Sequence, residues 1–211
     1  MKDNQFRFSP SVLAWPLYFV LAIWAVFWVE VKYGDLSDFG IMPRTFTGLR
    51  GIIFSPFLHG DISHIYNNTF PLFILIMALR YFYREQALKV IVYGILLSGF
   101  FTWLIGRGNS YHIGASGLIY VLVSFIFFKG MQTRYYRLVA LSLTVVVLYG
   151  GMVWYMFPGA GQEISWEGHL GGMLAGLLFA YIYDTPQYEK QIVYDWQRPD
   201  FDPSKDAFMK R

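Results

Sequence analysis

Ser116 lies among small residues in Gly114-Ala115-Ser116-Gly117, and His169 stands in a run where Gly168, Gly172 and Gly176 recur every fourth position. A hydroxyl and an imidazole in hydrogen-bonding contact are a nucleophile and its general base, the pair that acyl transfer needs. The glycines supply the means of approach, because small-residue stripes let two helix backbones come close. Tyr120 follows Ser116 by one helical turn, so its ring falls on the same face and can pack against the imidazole. An acyl-transfer intermediate gathers negative charge on oxygen. The backbone N–H of Ser116 at a helix start, with the side chains of His64 and Asn68, is a candidate oxyanion hole. His59 and His112 complete the set of four histidines.

Other chemistries find little support in the same residues. With no cysteine there is no disulfide, thiolate metal site or cysteine nucleophile. No His-Glu-x-x-His zinc motif occurs, so neither a metal nor a cofactor is predicted. The net charge of +3 carries no nucleic-acid signal. His112 and Asn109 read as parts of a solvated loop. Glu163 and Glu167 read as salt-bridged or solvated neighbours of His169.

The elements that must position these groups are membrane helices. Of 211 residues, 55% are hydrophobic and 15% charged, too few charges to solubilise a globular surface, and aromatics reach 20%. The polar stretch Met1–Pro10 lacks a signal-peptide cleavage pattern, so the first apolar run is kept as a span. Six apolar runs are predicted to cross the bilayer: Trp15–Val31, Ile65–Phe82, Ala87–Ile105, Gly114–Phe128, Leu138–Met156 and Leu170–Tyr183. Arg80, Arg84, Lys89, Lys129, Arg134, Arg137 and the basic tail fall on one side. The positive-inside rule therefore puts both termini in the cytoplasm, and the plasma (inner) membrane is the expected location. Spans two, four and six then enter from the outer face, which brings all four histidines and Ser116 to similar depth. The long segment between Lys32 and His64 is either an ordered ectoloop or one lying partly in the outer interface. Pro158-Gly159-Ala160-Gly161 reads as an outer turn. Residues 1–10 are expected as a short cytoplasmic start, 11–184 as the six-helix core and 185–211 as a cytoplasmic tail of limited structure.

On these residues the chain resembles the rhomboid family of intramembrane serine proteases. Gly114-Ala115-Ser116-Gly117 fits that family's Gly-x-Ser-Gly, with Tyr120 at its offset. Gly168-His169 fits its histidine ahead of a glycine stripe, and His64-Ile65-Tyr66-Asn67-Asn68 fits its His-x-x-x-Asn, with His59 five residues earlier. The resemblance implies an all-α, six-transmembrane-helix bundle with a long first ectoloop. It implies a Ser116–His169 dyad without an acidic third member, and an oxyanion site of His64, Asn68 and the Ser116 backbone. Tyr120, Gly114, Gly117, Gly172 and His59 would support them. The implied partners are transmembrane protein substrates, cut near the outer end of the span, and membrane lipid. One departure is Leu49-Arg50, where many members carry Trp-Arg. A catalytically inactive client-binding relative and a His-lined transporter are the alternatives. The first normally lacks nucleophile or base, and the second normally needs a charge deep in a span.

Overall fold

In a lipid-like setting every backbone N–H and C=O must be satisfied internally, so long apolar segments become helices. The computed structural model describes residues 8–133, 135–159 and 164–184. Among these described residues lie seven α-helices: α1 Pro10–Tyr33, α2 Gly51–Phe54, α3 Ile62–Phe82, α4 Ala87–Ile105, α5 Ser116–Gln132, α6 Tyr136–Tyr149 and α7 Trp166–Ile182. Among the described residues there is no strand beyond a single antiparallel bridge between Ile41 and His112. α1, α3, α4 and the helical stretch Tyr136–Met156 are each long and apolar enough to cross a membrane. α5 and α7, at 17 residues each, fall short of the roughly 20 that a full crossing needs.

Burial explains why those two can be short. α5 buries residues around its whole circumference, including Leu118, Tyr120, Val121, Leu122, Phe125 and Ile126. It is the central helix. α1 buries only Val12, Pro16 and Ile23 and leaves Leu17, Leu21 and Trp28 exposed, the mark of a helix that faces lipid. α5 and α7 share the most extensive contact in the molecule, followed by α4 with α7 and α1 with α3. A Cβ on Gly172 would strike the carbonyl of Gly117, and one on Gly176 the carbonyl of Val121. On the opposite side of α7, a Cβ on Gly171 would come within 2.9 Å of Phe101 Cβ in α4. The glycines thus let α7 sink between α5 and α4.

Several boundaries differ from the expected spans, each for a local reason. The fourth helix begins at Ser116 and runs on to Gln132, because Gly114 has φ +109°, outside the helical region. The second begins at Ile62, where Asp61 caps it by accepting from the His64 N–H at 2.8 Å. The fifth changes at Gly150 into a 3₁₀ stretch, Gly150–Met156. The last begins at Trp166, capped by Ser165. The segment from Gly34 to Asp61 is ordered by short 3₁₀ turns, α2 and pins to α4. Trp103 Nε1 donates to the Thr45 carbonyl, and Arg44 donates to the carbonyls of Leu104 and Gly106 at the end of α4. Residues 185–211, where the tail was expected, lie outside the described residues, as do Ala160, Gly161 and Glu163.

Candidate active site

Ser116 is the first residue of α5 and His169 lies in the first turn of α7. The close α5–α7 packing brings Ser116 Oγ to 2.9 Å from His169 Nε2. The other ring nitrogen, Nδ1, lies 2.9 Å from the carbonyl of Tyr155. A carbonyl only accepts, so Nδ1 carries the proton and Nε2 presents its lone pair to the serine hydroxyl. The polarity suits proton abstraction from Ser116. A main-chain carbonyl holds the tautomer, a task that a carboxylate performs in many serine hydrolases. The Tyr120 ring stacks on the imidazole, with centroids 4.4 Å apart and planes at 18°, and its hydroxyl donates to the Met152 carbonyl at 2.6 Å. The imidazole is thus held by a face, a carbonyl and the serine.

The side chains of His64 and Asn68 meet the turn before Ser116 at Gly114. A Cβ there would stand 2.5 Å from His64 Nε2 and 3.7 Å from Asn68 Nδ2, so both side chains overhang a position two residues before Ser116. Its positive φ alone favours glycine. Asn68 is buried, and its Nδ2 has no acceptor among the described residues. That is a donor available to an oxygen placed beside Ser116. His59 is buried behind His64, edge to face at 5.0 Å. Burial, then the neighbouring His64, push its pKa down to about 4, so it stays neutral at ordinary pH. Beside Ser116 a cavity of about 30 Å³ is lined by Ser55, Ser98, Thr102, His112 and Ser165. Its hydroxyls and volume suit one or two waters, each needing roughly 10–15 Å³.

Residues 47–185 match the family model of the Rhomboid domain. An uncharacterized protein of Mycobacterium bovis is 36% identical over 181 residues, covering 81% of this chain and 75% of its own length. An uncharacterized protein of Mycobacterium leprae is 34% identical over 162 residues, covering 72% and 63%. A protein of Toxoplasma gondii named rhomboid-like protease 1 is 31% identical over 153 residues, covering 66% of this chain and 49% of its own.

The chain belongs to the rhomboid family. With four helices able to cross a bilayer, this rhomboid is an integral membrane protein. Its Arg50, in the Leu49-Arg50 departure, donates to the Asp38 carbonyl at 3.0 Å and lies over the Phe39 ring, so it ties the first loop to itself.

Sequence reasoning misplaced His112. It is 5% exposed rather than solvated, and its ring bonds to Ser165 and to the Arg107 carbonyl. Its main chain pairs with Ile41 in both directions, which is what draws the side chain inward. Asn109 is exposed. Glu167 is fully buried and ion-paired to Arg107 at 2.8 Å. Gly117 is less constrained than its motif position suggests, since a Cβ there meets nothing closer than 3.6 Å. The Tyr155 carbonyl had no sequence signal. Ser165, three residues before Gly168 at a helix start, had one in its N-cap pattern.

Proposed function

We propose that this rhomboid is an intramembrane serine endopeptidase that cuts membrane-spanning proteins near the outer end of their transmembrane segment. The reading rests above all on one arrangement, the 2.9 Å contact between Ser116 Oγ and an imidazole whose tautomer the Tyr155 carbonyl sets. Ser116 attacks the scissile carbonyl while His169 takes its proton and returns it to the leaving amine. The oxyanion is received by the Ser116 N–H, His64 and Asn68, at a helix N-terminus whose dipole favours negative charge. Water from the polar cavity then hydrolyses the acyl-enzyme, with His169 again the base. Tyr120, Gly114, Gly172 and His59 keep these groups in place.

The same proposal includes six membrane-crossing helices, α5 and α7 being short because they lie inside the bundle, and a long outer first loop. Both termini are cytoplasmic, which sets the dyad near the outer surface where water and an unwound substrate can reach it. The test is cleavage of a single-span reporter protein in liposomes by wild type, Ser116→Ala and His169→Ala. The reading requires a cut near the outer end of the span and a loss of at least about 10³-fold in each folded variant. Equal cleavage by the variants would dismiss the dyad.

A further inference from the structure

His112 is four residues before Ser116, and Ser165 is four residues before His169. These two are also bonded to each other, Ser165 Oγ lying 2.6 Å from His112 Nδ1. A second Ser–His hydrogen bond thus runs beside the first, with serine and histidine exchanged between the two segments, and each spans 53 positions.

Every group in this second bond has one role open to it. His112 Nε2 lies 3.1 Å from the Arg107 carbonyl, which can only accept, so Nε2 carries the proton and Nδ1 receives the Ser165 hydroxyl. Burial pushes the His112 pKa down, which keeps that neutral tautomer in place. Ser165 Oγ in turn accepts from the Gly168 N–H at 3.3 Å, capping α7. A second tie fixes the same two segments. Arg107 Nε meets Glu167 Oε1 at 2.8 Å, its backbone N–H donates to the same oxygen at 3.2 Å, and Nη2 donates to the Ile164 carbonyl at 2.6 Å. The chain after α4 and the start of α7 are therefore joined twice, at Arg107 and at His112.

We propose that His112 and Ser165, backed by the Arg107–Glu167 pair, are positioning residues that hold the turn before Ser116 and the head of α7 in register. Their side chains bond to each other, to the Arg107 carbonyl and to the Gly168 N–H, and to neither Ser116 nor His169. Their effect is on the distance and angle at which His169 Nε2 meets Ser116, where a shift of about 1 Å costs on the order of 10² in rate. The inference rests on the protease reading of the Ser116–His169 pair.

The experiment measures kcat and KM on the single-span reporter for wild type, Ser165→Ala, His112→Ala and Ser165→Thr. Each preparation is normalised to the Ser116 that a fluorophosphonate can titrate, so unfolded molecules do not count. The expected result is kcat per titrated site lower by roughly 10- to 100-fold in both alanine variants, with KM within about twofold. Ser165→Thr keeps the hydroxyl and stays within about threefold of wild type. A purely structural role lowers the titratable fraction and leaves kcat per site unchanged, and that outcome overturns the proposal. If an alanine variant yields no titratable protein, Glu167→Gln reads the same coupling from the other tie. A wild type that cuts nothing removes the protease reading and this inference together, whereas active wild type with unimpaired alanine variants removes only this inference.

Discussion

At the residue scale, His59 is the group whose protonation the fold resists most plainly. Its pKa falls from an ordinary 6.5 to about 4, first through burial and then through His64. The folded pKa is depressed, so between these values the unfolded chain binds a proton that the folded chain refuses. Stability is therefore complete above about pH 6.5, declines as pH falls toward 4, and changes no further below it. The ceiling on this loss is about 3.5 kcal/mol, at roughly 1.4 kcal/mol for each pH unit between the two values. His112 adds a loss of the same sign, so the comparison has to isolate His59. Melting midpoints in detergent from pH 7.5 to 4.5 should fall less steeply for His59→Phe than for wild type. Parallel curves for the two proteins would mean that His59 is protonated in the folded state. The contact of Ser116 with His169 and the approach of His64 and Asn68 to Gly114 could be expected from residue type and spacing, because the chemistry proposed for them admits few residue types. The groups that orient them were not, because a carbonyl such as that of Tyr155 has no residue signature.

At the element scale, the α5–α7 contact sets the distance between Ser116 and His169, and Gly172 and Gly117, which meet there, are unequal. A Cβ on Gly172 strikes the Gly117 carbonyl, which belongs to backbone and cannot swing away. A Cβ on Gly117 finds only ordinary van der Waals neighbours at 3.6 Å. Gly172→Ala is expected to cost about 1–3 kcal/mol and most of the activity by pushing the helices apart. Gly117→Ala is expected to leave the melting midpoint within about 2 °C of wild type, an effect below about 0.5 kcal/mol. Purified variants compared by thermal melting and reporter cleavage decide the point, and equal damage in both would refute this account of the packing. The other end of α7 is held by Lys129, counted in the sequence as a loop charge but only 2% exposed. Its ammonium donates to the carbonyls of Ala180, at 2.9 Å, and Tyr183 at the end of α7, and to the Gln132 side chain. A cation there satisfies orphan carbonyls and opposes the helix dipole. Lys129→Met strands those carbonyls and should destabilise by about 1–3 kcal/mol in a denaturation titration, while Lys129→Arg should recover part of it. Hydropathy put this lysine just past the end of an apolar run, whereas it lies in the last turn of α5. Hydropathy could not report which helix the lysine serves.

At the scale of the whole molecule, the order and approximate limits of all six long helices could be read from apolar runs and turn residues. Ala87–Ile105 agrees to the residue, whereas the start of α5 was set two residues early because a positive φ at Gly114 leaves no mark in hydropathy. The organisation of the first loop was less legible. Its order comes from long-range pins, Ile41 to His112, Trp103 to Thr45 and Arg44 to the end of α4, that join positions about 60–70 residues apart in sequence. One of these pins, Ile41 to His112, reaches the segment carrying Ser116, so the first loop is part of the support for the Ser116–His169 pair. The most direct test of that pair is covalent labelling of Ser116. Purified protein is treated with a fluorophosphonate, and the adduct is located by intact and peptide mass for wild type, Ser116→Ala and His169→Ala. The account predicts one adduct on Ser116 in wild type, none in Ser116→Ala, and labelling slowed by about 10²-fold or more in His169→Ala, where the base is lost. Labelling at equal rate without His169, or at a serine other than Ser116, would contradict it.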